Sequence, residues 1–403
     1  MSGLLFLHIP KTAGTSLKRY LSHQVAAADC LLDPPSGASF EPGVLDRLRF
    51  VAGHLDYDFA ARYLQRPFIL TCLRHPVERA LSAFYYQRTP RLAIQIRMAV
   101  PQLGATEAEQ ILADLQRLTR HTQLRDFLQA EPDLARKTLG NLQTEYLAGA
   151  TACAAHGADP DVLSTIAFRH LEACEGILLA DRLPETLRLV DPAWVQDGRG
   201  ALARDNAVDG RPAIADHAPD EIAALTELLA PDLALYRHAE RLIEERRSTV
   251  RPPALASAPL ANAADFRFDQ PIHGTGWHVR EAAEGTWFCW TDRDASLTLR
   301  LESTGDHRLE CMVEHASCAE AWAGLAVTVN GQPVTLSEKP AAPPGRISAQ
   351  VDGAWLDRSP DHVAIGFRVP KTIRPSDADP GNPDTRRLGI ALSRVRLIPQ
   401  SAQ

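Results

Sequence analysis

The apolar pattern changes period once along the chain, and that change restricts the fold more than any other feature. Up to about residue 247, short apolar runs alternate with stretches whose apolar residues recur every three or four positions. Beyond residue 264 the recurrence is every second position. Between them lies STVRPPALASAPLANAA, Ser248–Ala264, rich in Pro and Ala and without acidic residues or apolar periodicity. Pro252-Pro253 cannot continue a helix, so the segment reads as a linker. Alternating strand and helix patterns build a parallel sheet covered by helices, whereas short strands joined by turns build a sandwich. The expected architecture is an α/β domain over 1–247, a linker over 248–264 and an all-β sandwich over 265–403.

In the first part, Leu4–Ile9 is an apolar run ended by Pro10, expected as a buried parallel strand. A helix should follow over Gly14–Leu21. Leu48–Ala52, Pro67–Leu73 and Gly176–Ala180 read as further strands. Pro76 suits the first position of a helix, in which Val77, Ala80, Leu81 and Phe84 form one apolar face. Two helical stretches are expected within 106–148, a short helix over Leu183–Val190, and one or two amphipathic helices over Pro219–Arg247. In the second part, Ser296–Leu301, Leu325–Val329, Pro333–Leu336, Val363–Val369 and Leu388–Ile398 read as strands. Asn330-Gly331 should form a hairpin turn, because both residues tolerate positive φ.

Composition excludes several classes. The net charge of −7 argues against a broad nucleic-acid binder. No apolar run approaches the roughly 18 residues of a membrane span, and Leu4–Leu7 is too short for a signal-peptide core. Seven cysteines, an odd number without a C-x-x-C pair, indicate neither a disulfide framework nor a zinc ribbon. A cytoplasmic protein with buried free thiols is expected. No His/Cys/Asp cluster has metal-ligand spacing, so no metal is expected.

Two segments carry chemistry. In His8-Ile9-Pro10-Lys11-Thr12-Ala13-Gly14-Thr15-Ser16, a strand ends, a loop supplies one Lys and several hydroxyls, and a helix begins. Backbone N–H groups at a helix start form an anion site, and Lys11 adds a point charge. The loop is not a GxxxxGK[ST] loop, since Lys11 precedes Gly14. A plain capped turn is the alternative, although capping does not call for the Lys. In Leu73–Tyr86, Arg74 stands at the C-terminal end of a strand, where open α/β sheets bind ligands. Ser82 follows about two turns into the next helix, and the two could grip one phosphate. The alternative is a surface Arg and an ordinary helical Ser.

Together these segments resemble the PAPS-dependent sulfotransferases, particularly the carbohydrate type related to heparan sulfate 2-O-sulfotransferases. The resemblance implies a P-loop-like parallel sheet flanked by helices. It places the 5′-phosphosulfate of the donor on the loop Lys11, Thr12, Ala13, Gly14, Thr15 and Ser16. The family's R-x-P-x-x-R-x-x-S segment, here Arg74, Pro76, Arg79 and Ser82, holds the 3′-phosphate, with His75 where the family often has Asp. Asn141–Gly149 is similar to the family's N-x-Q-T-R-x-L-x-G block, with Glu145 in place of Arg. Gly176–Leu187, with Asp181-Arg182, and Pro219–Arg247 resemble its later segments.

Gly53-His54-Leu55-Asp56-Tyr57-Asp58 follows another strand. In 2-O-sulfotransferase relatives a His in a similar Gly-His segment is the general base, which implies that role for His54, with Asp56 and Asp58 as alternatives. The expected activity is sulfuryl transfer from PAPS to a hydroxyl of a polysaccharide, glycolipid or sugar precursor. Two competing readings remain: a small-molecule kinase, which would need the missing GK[ST] loop, and a non-catalytic glycan-binding protein. In the β part, Trp277, Trp287, Phe288, Trp290, Trp322 and Trp355 suit either a sandwich core or the stacking of sugar rings.

Overall fold

The computed structural model describes residues 3–35, 38–41, 43–157, 159–190, 211–247, 264–301, 305–356 and 362–400. The linker read over 248–264 lies outside them, apart from Ala264. The described chain forms two compact units. One takes in the described residues 3–18, 29–190 and 211–247. The other takes in residues 19–28 and those from 264 onward.

The first unit is built on a five-stranded parallel sheet of β1 (Leu4–Leu7), β2 (Cys30–Leu32), β3 (Phe50–Gly53), β4 (Phe68–Leu73) and β5 (Gly176–Leu179), in the order β2-β3-β1-β4-β5. β1 pairs with β3 from Leu4↔Phe50 to Leu7↔Gly53 and with β4 from Leu4↔Phe68 to Leu7↔Thr71. Every residue of β1, β3 and β5 is buried, as a sheet covered on both faces demands. β1 stops two residues short of the apolar run, because the carbonyl of His8 turns to the ring of His54 instead of a ladder.

The helices are α1 (Gly14–Ser22), α2 (Asp58–Tyr63), α3 (Pro76–Gln87), α4 (Pro90–Met98), α5 (Val100–Leu103), α6 (Ala105–Thr119), α7 (Leu124–Ala130), α8 (Pro132–Leu139), α9 (Leu142–Ala148), α10 (Ala150–His156), α11 (Pro160–Ala173), α12 (Leu183–Thr186), α13 (Pro219–Leu228) and α14 (Ala230–Arg247). The two stretches expected within 106–148 are four helices. Pro132 restarts the helix after Glu131, and Gly140 separates α8 from α9. The apolar face of α3 is buried as expected, and Phe84 packs on Phe127 with ring centroids 5.7 Å apart.

The second unit is a β-sandwich whose strands join into one curled antiparallel sheet. Its strands are β6 (Ala264–Arg267), β7 (Gly274–Trp277), β8 (Glu281–Ala283), β9 (Thr286–Arg300), β10 (His307–Ala316), β11 (Ala326–Val329), β12 (Gln332–Pro333), β13 (Leu336–Glu338), β14 (Gly345–Val351), β15 (His362–Arg368) and β16 (Ile390–Pro399). The 15-residue β9 pairs with β7, β8, β15 and β16, so one strand serves several partners. Asn330 and Gly331 both have positive φ and close the β11–β12 hairpin, Val329↔Gln332 being its last pair. The expected strand Pro333–Leu336 is instead split between β12 and β13, which pairs with β14. Within this unit Arg280, almost fully buried, donates to the carbonyls of Ser22, Val25 and Gln270. Trp277 and Trp322 belong to the core, and each indole N–H donates to a backbone carbonyl. Trp287 is exposed.

Phe84→Ala should lower stability by about 3–5 kcal/mol, the usual cost of emptying an aromatic core site. Urea unfolding followed by circular dichroism measures it, and Met312→Ala, at an exposed position, should leave the midpoint in place.

Candidate active site

The sheet order decides where a site forms. The chain leaves β1 towards β2 and leaves β4 towards β5, which lie on opposite sides. The strand order therefore reverses between β1 and β4, the position where open parallel sheets hold ligands at their C-terminal ends. Lys11 follows β1, His54 follows β3, Arg74 follows β4 and Asp181 follows β5.

The β1–α1 loop is strained in a way that makes it concave. Lys11 and Ala13 have φ of 71° and 65°. Non-glycine residues in this region cost about 1–3 kcal/mol each and occur at functional sites. Alternation of this kind turns successive N–H groups inward, towards an anion. The buried Thr12 hydroxyl donates to the Ile9 carbonyl at 2.8 Å, so it shapes the loop. Thr15 and Ser16 lie in the first turn of α1. A Cβ on Gly14 would sit 1.7 Å from Cδ2 of His8, so a glycine is required there.

Arg74 joins the two motifs: its Nη1 donates to the Lys11 carbonyl at 3.3 Å. Its Nη2 pairs with Glu78 at 3.0 Å. Glu78 also pairs with Arg211 at 2.5 Å, and Nη1 of Arg211 is buried without a partner among the described residues. Nζ of Lys11 lies 3.6 Å above the Tyr86 ring, a cation–π contact. Burial pushes Lys11 down to about 8, helped by the nearby charges of Arg74, Arg91 and Arg211. Cations thus outnumber Glu78 here, and the surplus suits a multiply charged anion. Arg211 was not anticipated, because it lies far from both motifs in sequence and only folding brings it to Glu78.

Arg79 and Ser82 differ from each other. Arg79 is fully enclosed and donates to the carbonyls of Leu139 and Gly140, with Asp232 as its nearby counter-charge. It holds the fold. Ser82 lies on α3, nearly buried, eight residues beyond Arg74. Glu145, at the position where the family's block has Arg, is raised by burial and by Asp232.

The Nδ1 of His54 lies 2.9 Å from the His8 carbonyl. A carbonyl only accepts, so Nδ1 carries the hydrogen and Nε2 keeps a lone pair. The His54 ring stacks on that of His8, with centroids 4.4 Å apart. Burial lowers the pKa of His54; the bond to His8 and the charge of Asp33 offset part of this, and Lys18 and Lys11 add to the lowering. Asp56 is occupied: Oδ1 accepts from the Phe59 N–H and Oδ2 from the Ala150 N–H. Asp58 accepts from the Thr151 N–H. Both carboxylates serve helix starts. Among the described residues no group of three His, Cys, Asp or Glu could hold a metal ion.

Residues 2–164 match the Sulfotransferase family. No curated protein matches the chain. Similar solved structures include a Podospora anserina β-(1,4)-mannanase (GH26-CBM35), 11% identical over 35% of this chain and 28% of its own, with TM-score 0.22. Another is a family 35 carbohydrate binding module from Clostridium thermocellum, 10% identical over 34% of this chain and 98% of its own, with TM-score 0.22. A third is an exo-β-1,3-galactanase from Phanerochaete chrysosporium, 14% identical over 34% of this chain and 29% of its own, with TM-score 0.21. The chain thus spans less than a third of the mannanase and galactanase, and likenesses this slight carry no argument.

Gly14→Ala should displace the His8 ring and, with it, the stacked His54. The expected result is a stability loss of about 1–3 kcal/mol, as for overpacked sites, together with shifted imidazole signals of both histidines in NMR spectra. Unchanged His54 signals would separate the two rings.

Proposed function

We propose that this sulfotransferase-family segment transfers the sulfuryl group of PAPS to a carbohydrate hydroxyl, with His54 as general base. The observation that supports it best is the meeting of two separate anion-binding motifs at the sheet's reversal point, Arg74 bonded to the Lys11 backbone. PAPS carries anionic groups at both ends of its nucleotide, which fits two such cradles. When bound, it supplies an activated sulfuryl group and 3′,5′-ADP as leaving group.

Each residue has a defined task. The N–H groups of the loop Lys11–Ser16, with Thr15 and Ser16, hold the 5′-phosphate, and Thr12, Ala13 and Gly14 set the loop's curvature. Arg74 and Ser82 take the 3′-phosphate. Lys11 meets charge developing on the bridging oxygen, where a single preorganised donor is worth about 3–4 kcal/mol of barrier. Nε2 of His54 takes the acceptor proton as the new S–O bond forms. With both carboxylate oxygens engaged, Asp56 is the weaker candidate for that task.

A sugar acceptor also gives the β-sandwich a role. Its groove of ≈ 630 Å³ is lined by His315, Trp322, Lys339 and Pro340, among others. Seven free cysteines suit the reducing cytoplasm.

Thermal shift tests the donor. PAP without metal should stabilise the protein, by about 2.7 kcal/mol at 100-fold above Kd. A response to Mg-ATP with none to PAP would favour the kinase reading instead. PAP binding should also weaken as pH rises through about 8. Burial has lowered the free Lys11, a bound phosphate favours its charged form, and above that pH binding must draw in a proton. Calorimetry in buffers of different ionisation enthalpy would read that uptake.

His54→Ala should cut turnover about 10²–10⁴-fold with donor affinity retained. Because His54 is lowered, the acid limb of the wild-type rate profile should lie below the usual imidazole value of about 6.5 and vanish in the variant. A dead Asp56→Asn beside an active His54→Ala would transfer the role to the carboxylate.

A further inference from the structure

We infer that Gln143 is a positioning residue for the phosphate site, acting through the backbone of Arg74. This rests on the assignment of Arg74 to the donor's 3′-phosphate. Gln143 is completely buried. Its Oε1 accepts from the Arg74 N–H at 2.9 Å, and its Nε2 donates to the Arg74 carbonyl at 3.1 Å. One carboxamide thus grips both polar groups of a single backbone residue, as a rung of a sheet would. The grip comes just where the ladder ends, since Leu73↔Leu179 is the last pair between β4 and β5.

Gln143 is itself held from behind. Its backbone N–H and Nε2 approach Oδ2 of the buried Asp232, at 3.3 and 3.4 Å. The other oxygen of Asp232 accepts from the N–H and hydroxyl of Thr144, both at 2.8 Å. Asn141 completes the frame, accepting from the Asp232 N–H and donating to the Leu228 carbonyl. The clamp needs a donor and an acceptor on one planar group, which a carboxamide provides at any pH and a carboxyl of this length only when protonated. A carboxylate could take the Arg74 N–H but would face its carbonyl with a second acceptor. Fixing the backbone of Arg74 fixes the origin of its guanidinium, whose Nη1 and Nη2 then reach the Lys11 carbonyl and Glu78.

The test compares Gln143→Met and Gln143→Glu with Thr144→Val, which loses a bond to the same Asp232 without touching Arg74. Calorimetry would give Kd for PAP and for adenosine 5′-monophosphate, which lacks the 3′-phosphate. Gln143→Met should weaken PAP about tenfold, the loss expected for two displaced hydrogen bonds, and leave the monophosphate unchanged. It should add nothing in an Arg74→Ala background, and hydrogen exchange at the Arg74 amide should quicken. Equal losses for both nucleotides, the same selective loss in Thr144→Val, or additivity with Arg74→Ala would overturn the inference. If neither Gln143 variant folds while Thr144→Val does, Gln143 serves the fold alone and the inference also falls. A wild-type protein that does not distinguish PAP from the monophosphate would remove the donor assignment. Hydrogen exchange would still judge the clamp: an unchanged Arg74 amide in Gln143→Met means that the clamp is absent.

Discussion

A single buried carboxylate organises the first unit. Asp232, in the first turn of α14, accepts four hydrogen bonds from Gln143 and Thr144 at the start of α9. Its charge faces Arg79 of α3, which grips the end of α8. Elements distant in sequence are thereby locked around the turn that presents Arg74. Such a network is expensive to break, because removing one partner leaves a buried polar group unsatisfied, a loss of about 1–3 kcal/mol. Burial raises the carboxyl of Asp232, while Arg79 and the bonds from Thr144 and Gln143 pull it back. The backbone position of Arg74 is thus set by groups remote from its guanidinium.

The site itself is built on imbalance. Arg74 and Arg211 pair with one carboxylate, Glu78, and the Lys11 ammonium feels the positive charge of both guanidiniums. Burial lowers the pKa of Lys11 most, and repulsion by the neighbouring guanidiniums lowers it further. The face of Tyr86 offsets part of it for Lys11. An arrangement of this kind gains most when a phosphate enters, since the anion relieves the repulsion and finds preoriented donors. Glu78 holds both guanidiniums in place meanwhile.

Much of this was legible in the sequence, and what was not has identifiable causes. β1 and the face of α3 are local patterns: Leu4–Leu7 is apolar throughout, and Val77, Ala80, Leu81 and Phe84 repeat at helical spacing. The Asn330-Gly331 turn is readable for the same reason, since its chemistry lies in two adjacent residues. The division of 106–148 into four helices is hard to read because two breaks rest on a single residue, Pro132 and Gly140, and the third, over residues 120–123, has neither Pro nor Gly to mark it. β10 and β14 pair through residues some forty positions apart, as in Leu309↔Ala349, and no local signal announces such a pairing. In the site, Lys11, Arg74 and His54 could be named because each ends an apolar run. Arg79 shares a motif with Arg74, yet it faces inward to carbonyls, which spacing alone does not reveal. Arg211 and the grip of Gln143 on Arg74 depend on contacts made 133 and 69 positions away.

The β1–α1 loop shows how a motif can be readable while its logic is not. By sequence His8 looks like one residue within the strand Leu4–Ile9, and Gly14 looks like the usual small residue at a helix start. In the fold they are one unit. The His8 ring occupies the space where a Cβ of residue 14 would lie. The same ring stacks on that of His54, and the His8 carbonyl sets the His54 tautomer. Burial lowers the His8 imidazole to about 2, so it stays neutral beside His54 and adds no charge against protonation there. A glycine that permits the close approach, a neutral ring that fills it and a carbonyl that orients the next imidazole are therefore one constraint. It explains why the strain of Lys11 and Ala13 falls in this loop: the chain must pass close to a ring and still turn into the first turn of α1.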